Sequence, residues 1–193
     1  MKLSLTQHQS VFVMFLDKTE ETKFSLPEKT SSVIAEVSGP WKVAFQEKRG
    51  APAEATFETL ASLTESEDSG IKYFSGAATY TNTFELKKKA LKANETFILD
   101  LGDVKDLAEV TVNGKNLGVF WNAPFKVDIT SAVKKGTNTI EVKVVNMWHN
   151  RLVGDVQPGV TEKVTYTHRQ FFEADEPLLP AGLLGPVQVI GQK

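Results

Sequence analysis

Residues Ile71–Leu86 read IKYFSGAATYTNTFEL, Leu99–Thr130 read LDLGDVKDLAEVTVNGKNLGVFWNAPFKVDIT, and Gly136–Asp155 read GTNTIEVKVVNMWHNRLVGD. Apolar residues in these stretches recur at every second position, the period of a half-buried strand. Ile140, Val142 and Val144 fall on one face of the last stretch, against Glu141, Lys143 and Val145. Asn113-Gly114 separates two such runs, Glu109–Val112 and Leu117–Trp121, and is the strongest short hairpin signal a sequence offers. Gly136-Thr137-Asn138 marks another turn. Thr and aromatic residues crowd Tyr73–Leu86, which favours strand over helix.

The same pattern continues in the flanking segments. Trp41–Phe45 alternates Trp, Val and Phe after Gly39-Pro40 and reads as the first strand of the main body. Thr56–Leu60 reads as a short strand. Phe97, Leu99 and Leu101 share one face of Thr96–Leu101, as do Phe125, Val127 and Ile129 further on. Val160–Tyr166 and Pro186–Ile190 read as closing strands. Thr64–Gly70 is acidic and polar, hence exposed. Turn signals recur every 8 to 12 residues or so, helical periodicity is nearly absent, and no repeat of fixed period is visible. The expectation is an all-β sandwich. Val11–Leu16 is apolar on both faces and predicts a buried strand. Asp17–Ser32 is charged, rich in Ser and Thr, and contains Pro27; it predicts a linker. The division is then 1–32, strand and linker, and 33–193, sandwich.

The bulk properties narrow the function. A chain of 193 residues is the length of one domain and can bury a core without metals or disulfides. The 41% apolar and 24% charged fractions are those of a globular protein. A formal charge of −2 lacks the basic excess of a phosphate-binding domain, so no nucleic acid is expected. With no Cys, disulfides and thiolate metal sites are excluded within these residues. The longest apolar run, Val11–Leu16, is too short to span a bilayer, and the first residues lack the apolar core of a secretory signal. A phosphate loop, an HExxH zinc motif and a nucleophile elbow are all missing from the sequence. Three His, at 8, 149 and 168, show no metal-ligand spacing. The 24 acidic residues fall mostly in polar loops and on strand faces, where solvation accounts for them. No catalytic residue is assigned.

The phrases VTVNGKNLGVFW (Val110–Trp121), PFKVDITSAVKKGTNTIEVKVVNMW (Pro124–Trp148) and NRLVGD (Asn150–Asp155) closely resemble the sugar-binding β-sandwich of glycoside hydrolase family 2. They are more similar still to the C-terminal sandwich of the α-L-rhamnosidases of family 106. SGPWKVAF (Ser38–Phe45) and LLPAGLLGPVQV (Leu178–Val189) extend that closer resemblance, which covers roughly residues 36 to 190. It implies a galactose-binding-domain-like jelly roll that is a non-catalytic part of a larger glycosidase, whose catalytic acids lie in a separate barrel. It also implies carbohydrate and the parent's catalytic domain as partners, and a periplasmic or extracellular location. LTQHQSVFVMFLDK (Leu5–Lys18) resembles the last strand of the preceding sandwich in family 106, so the chain looks like a C-terminal fragment or split gene product. Jelly rolls of this kind commonly hold a structural calcium ion; no Asp cluster in the sequence places one.

Sugars present apolar C–H faces and hydroxyls, so an exposed aromatic ring flanked by Asn, Asp, Arg or His is the composition to look for. Trp121-Asn122 and Trp148-His149-Asn150-Arg151 have it. The alternative for each Trp is burial, the usual use of so large a side chain. Trp41 alternates with Val43 and Phe45 and reads as core. Trp148 ends a strand at a sheet edge, where core or inter-domain packing competes with sugar contact. Trp121 stands in a loop open to either use. Arg151 and Asp155 are four apart, a spacing that one helical turn converts into an ion pair pinning the loop; the other use of Arg151 is to hydrogen-bond a sugar or a partner domain. Two roles stay open for the whole: holding the parent on carbohydrate, or buttressing its catalytic domain.

Overall fold

The computed structural model describes residues 30–193, together with 10–12, 14, 15, 17 and 18. Among them are twelve strands. The larger sheet holds β2 (Trp41–Phe45), β3 (Glu54–Phe57), β4 (Ala77–Leu86), β7 (Leu107–Val112), β8 (Lys115–Phe120) and β10 (Gly136–Val145), in the order β3-β2-β4-β10-β7-β8. The smaller holds β1 (Ser31–Glu36), β5 (Thr96–Asp100), β9 (Lys126–Asp128) and β12 (Gln188–Gln192), in the order β1-β12-β5-β9. A short pair, β6 (Asp103–Lys105) with β11 (Gly182–Gly185), lies beside them. Every pairing within these sheets is antiparallel.

The alternating runs become the inner faces of the two sheets. Ile140, Val142 and Val144 of β10 are buried while Glu141 and Lys143 face out. Val43, Tyr80 and Val110 from the larger sheet join Leu99, Val127 and Val189 from the smaller in one core. Trp41 is fully buried in it, as its alternation with Val43 and Phe45 predicts. The result is the expected all-β sandwich.

Asn113 and Gly114 both have positive φ, 51° and 79°, as a type I′ hairpin turn requires. The turn is more than a reversal. Asn113 donates to the Ala132 carbonyl and to Asn138 Oδ1, both at 2.8 Å, and accepts from the Thr139 N–H at 3.0 Å. Asn138, fully buried at the start of β10, donates to the carbonyls of Lys134 and Gly136. A polar knot therefore closes this end of the sandwich, with all its donors and acceptors paired inside the protein.

Several expectations need correction. Val160–Tyr166 is not a strand; its backbone is captured by a side chain described below. The Thr64–Gly70 stretch is largely exposed, as expected, but it also carries part of a 3-10 turn (Leu63–Glu65) and the first half of a short helix, α1 (Ser69–Lys72), capped by Asp68. A further helix, α2, spans Lys88–Ala93. The expected strand at Thr56–Leu60 sits earlier, at β3. β1 begins at Ser31, inside the expected linker, because it pairs with β12 from Gln192 onward. Of the run Val11–Leu16, residues Val11, Phe12, Met14 and Phe15 belong to no strand and are exposed, since none of the sheets draws a strand from them; Val13 and Leu16 lie outside the described residues.

Candidate functional site

Register places the sequence candidates at the end of the sandwich opposite the Asn113–Asn138 knot. Phe120 of β8 and Val144 of β10 both pair with Ala108 of β7. Trp121 and the Asn146–Trp148 stretch thus leave the larger sheet at the same end, two strand spacings or about 10 Å apart at their roots. Trp121 follows the edge strand β8 and is 74% exposed. Asn122 beside it is exposed, its amide 3.4 Å from the Ala123 carbonyl.

Trp148 precedes the helix α3 (His149–Gly154) and is 43% exposed. The guanidinium carbon of Arg49, from the turn between β2 and β3, stands 4.4 Å from the centre of its ring. His149 is half-buried, with Nε2 3.0 Å from the Pro177 carbonyl and its ring edge-on to Phe172 at 5.2 Å.

Asn150 and Arg151 face inward. The buried Asn150 carboxamide donates to the Leu179 carbonyl at 2.7 Å and accepts from the Leu179 N–H at 2.9 Å, so it clamps that backbone from both sides. Arg151 Nε lies 3.0 Å from Asp155 Oδ1, with both residues buried. The i,i+4 ion pair expected from the sequence is formed across one turn of α3. Asp155 also accepts from the N–H groups of Val164 and Thr165, at 3.1 and 2.8 Å, and from the Thr165 hydroxyl. This capture bends Val160–Tyr166 over α3 in place of a strand.

The space around the Arg151 guanidinium is tight. A Cβ at Gly50, where φ is +88°, would stand 2.9 Å from Nη1; one at Gly154 would stand 2.5 Å from Nη2 and from Tyr73 Cβ. The packing joins three segments: the β2–β3 turn, α3 and the loop after it. Between them, next to Trp148, opens a cleft of about 430 Å³ lined by Arg49, Leu152, Val164, Thr165, Tyr166 and Thr167. Tyr166 is 92% exposed. Arg49 and Tyr166 escape a reading of the sequence, because their only link to Trp148 is spatial.

The rings of Trp121 and Trp148 make no contact with each other. A second groove, of about 420 Å³, opens between the edge strands β1 and β3; Glu36 and Glu58 at its rim are both exposed. Among the described residues no three His, Cys, Asp or Glu side chains gather as a metal site requires, and no helix is long and apolar enough to cross a membrane.

Fold and site together define a two-sheet jelly roll whose exposed aromatic and polar groups collect on the loops at one end. The family model described as glycosyl hydrolase 2 galactose-binding domain-like matches residues 62–173, more than half of the chain, and the chain belongs to that family. It is 39% identical over 176 residues to the protein of Formosa agariphila named "Putative beta-glucuronidase", an alignment that takes in 79% of this chain and 15% of that protein. The structure of a rhamnosidase from Novosphingobium sp. PP1Y is similar with a TM-score of 0.84 and 43% identity, over 91% of this chain and 16% of that one. A Ruminococcus gnavus β-glucuronidase shares the fold at a TM-score of 0.60 and 19% identity, over 92% of this chain and 30% of that one. The chain thus spans about a sixth of the length of the two relatives it matches at higher identity, and corresponds to a domain of glycoside hydrolase-type proteins.

Proposed function

We propose that the chain is a non-catalytic accessory domain of a glycoside hydrolase that holds carbohydrate on the loop after β8. The observation that carries this reading is Trp121, 74% exposed beside the exposed Asn122. A bare indole offers its face to sugar C–H groups, and the adjacent carboxamide supplies both a donor and an acceptor for hydroxyls. The likeness to a rhamnosidase and to a protein named for β-glucuronidase activity supports a parent acting on rhamnose- or uronate-containing polysaccharide, in the periplasm or outside the cell. The partners are then that polysaccharide and the parent's catalytic domain.

One platform and one carboxamide supply little affinity. A dissociation constant near the millimolar range, about −4 kcal/mol, is expected. Tethering to a catalytic domain makes such weak binding useful, because it raises the effective concentration of substrate. The test is an NMR titration of the chain with rhamnose, galactose and rhamnose-containing oligosaccharides, run beside Trp121→Ala. Saturable shifts around Trp121 that vanish in the variant are expected.

The second reading, a buttress that packs on the catalytic domain without binding sugar, is favoured by other exposed apolar residues. Val119, Met147 and Phe171 are 52%, 56% and 70% exposed, as befits a surface that another domain covers. Silence toward every glycan at tens of millimolar would select it.

A further inference from the structure

Arg49 brings a positive charge to the cleft beside Trp148. Among the described residues it has no carboxylate partner, and its guanidinium stacks on Trp148. The stack fixes the position of the guanidinium and leaves its edge N–H groups without acceptors. Among the described residues no acidic side chain lines the cleft it borders. The other walls supply the Tyr166 ring and the hydroxyls of Tyr166 and Thr167, none of which has a protein hydrogen-bond partner among the described residues. The Thr165 hydroxyl is different, being held by Asp155.

We infer that this cleft binds a pyranose bearing a carboxylate, a uronic acid residue, with Arg49 on the carboxylate and Tyr166 under the ring. The inference rests on the reading of the chain as a carbohydrate-binding domain and adds a second locus, apart from the Trp121 loop, with its own ligand class. The guanidinium occupies one face of Trp148, so that ring serves as the bed for Arg49. The planar fork of Arg matches a carboxylate with two parallel hydrogen bonds between opposite charges, where a hydroxymethyl group offers a single uncharged oxygen. Tyr166 is the bare ring of the cleft, and Thr167 stands next to it for ring hydroxyls. Arg151 and Asp155 act as positioning residues: Asp155 holds the backbone at Val164 and Thr165, which sets Tyr166 opposite Arg49.

The test compares methyl β-D-glucuronide with methyl β-D-glucoside, which differ only in the carboxylate at C6. Both are titrated at low salt into the full 193-residue chain, with amide shifts read at Arg49, Trp148, Tyr166 and Thr167. The glucuronide should bind about tenfold tighter, the scale of one charge-assisted pair. Arg49→Gln should erase that preference, and Tyr166→Ala should weaken both sugars at this locus. Melting curves of the two variants verify that they fold. Sodium acetate is the third arm. Acetate binding as tightly as the glucuronide would overturn the sugar assignment and point to a carboxylate side chain of a neighbouring domain. Equal binding of the two glycosides, or no response at these four residues, would overturn the inference outright. Neutral glycans shifting resonances around Trp121 in that same experiment would leave the accessory reading standing; loss of every glycan response would remove both.

Discussion

Arg151 Nε approaches Asp155 Oδ1 to 3.0 Å with side-chain exposures of 8% and 4%, yet its N–H is not aligned on that oxygen as a hydrogen bond would be. The attraction is therefore chiefly between charges, and the directional bonds of Asp155 go elsewhere, to Val164 and Thr165. One carboxylate thus balances a buried cation and ties down a loop.

Asp155→Ala should be among the most damaging single changes. It leaves Arg151 buried without a counter-charge, a situation that costs about 3–5 kcal/mol. Denaturant melts measure the loss. Hydrogen exchange should show the amides of Val164 and Thr165 losing protection ahead of the sheet. Exchange at those two amides equal to that of the parent chain would show that the loop is held by something else.

The three tryptophans should separate cleanly. Trp41→Ala removes a fully buried ring and should cost about 3–5 kcal/mol. Trp121→Ala removes a ring that is 74% exposed and should change stability by no more than about 0.5 kcal/mol. Trp148→Ala loses its stack with Arg49 and should fall between them, near 1 kcal/mol. Thermal melts of the three variants rank them, and a large drop for Trp121→Ala would count against its role as a surface platform.

Tyr80 gives a pH signature. Its hydroxyl is buried with no aligned hydrogen-bond partner, and burial pushes its pKa up from 10.0 to about 12, against a smaller opposing effect of the Leu183 backbone. A raised folded-state pKa means that the folded chain keeps a proton the unfolded chain gives up above pH 10. Stability is therefore intact below about pH 10 and falls through pH 12, by about 2–3 kcal/mol in all for a shift of this size. Tyr80→Phe should abolish this part of the alkaline loss and hardly alter stability at pH 7, since it removes a hydroxyl without a partner. Unfolding curves of both chains between pH 8 and 12 read the difference.

Removing residues 1–29 should leave a cooperatively folding sandwich. β1 begins at Ser31 and pairs with β12 along its length except at an irregularity between Val33 and Ala35, while Val11, Phe12, Met14 and Phe15 are exposed. The melting temperature is expected to stay within a few degrees of the parent's. Loss of a cooperative transition would assign this stretch to the core.

How much of this was legible in the sequence depends on what each residue answers to. β10 could be read from Ile140, Val142 and Val144 because one face is buried and the other is wet, which is what alternation encodes. Asn113-Gly114 could be read because positive φ at two consecutive positions favours those residues. Val160–Tyr166 misled because its β-branched residues suit a strand, while its backbone is claimed by Asp155 from another segment. β6 is too short, and β11 both short and bounded by Gly, to announce themselves. At the candidate site, the composition of Trp148–Arg151 drew attention to the segment that carries α3. It could not show that Asn150 clamps Leu179, or that Arg49 arrives a hundred residues earlier in the chain, because neither fact is local.

The knot of Asn113 and Asn138 has a consequence for change over time. Strand register is locked at one pole of the sandwich, by bonds that involve none of the segments around Trp121, Arg49 or Tyr166. The opposite pole is then free to exchange loops of different length and chemistry while the sheets stay in step. That makes it the place to graft new recognition segments in the laboratory, and the place where selection could retune one inherited scaffold for different polymers.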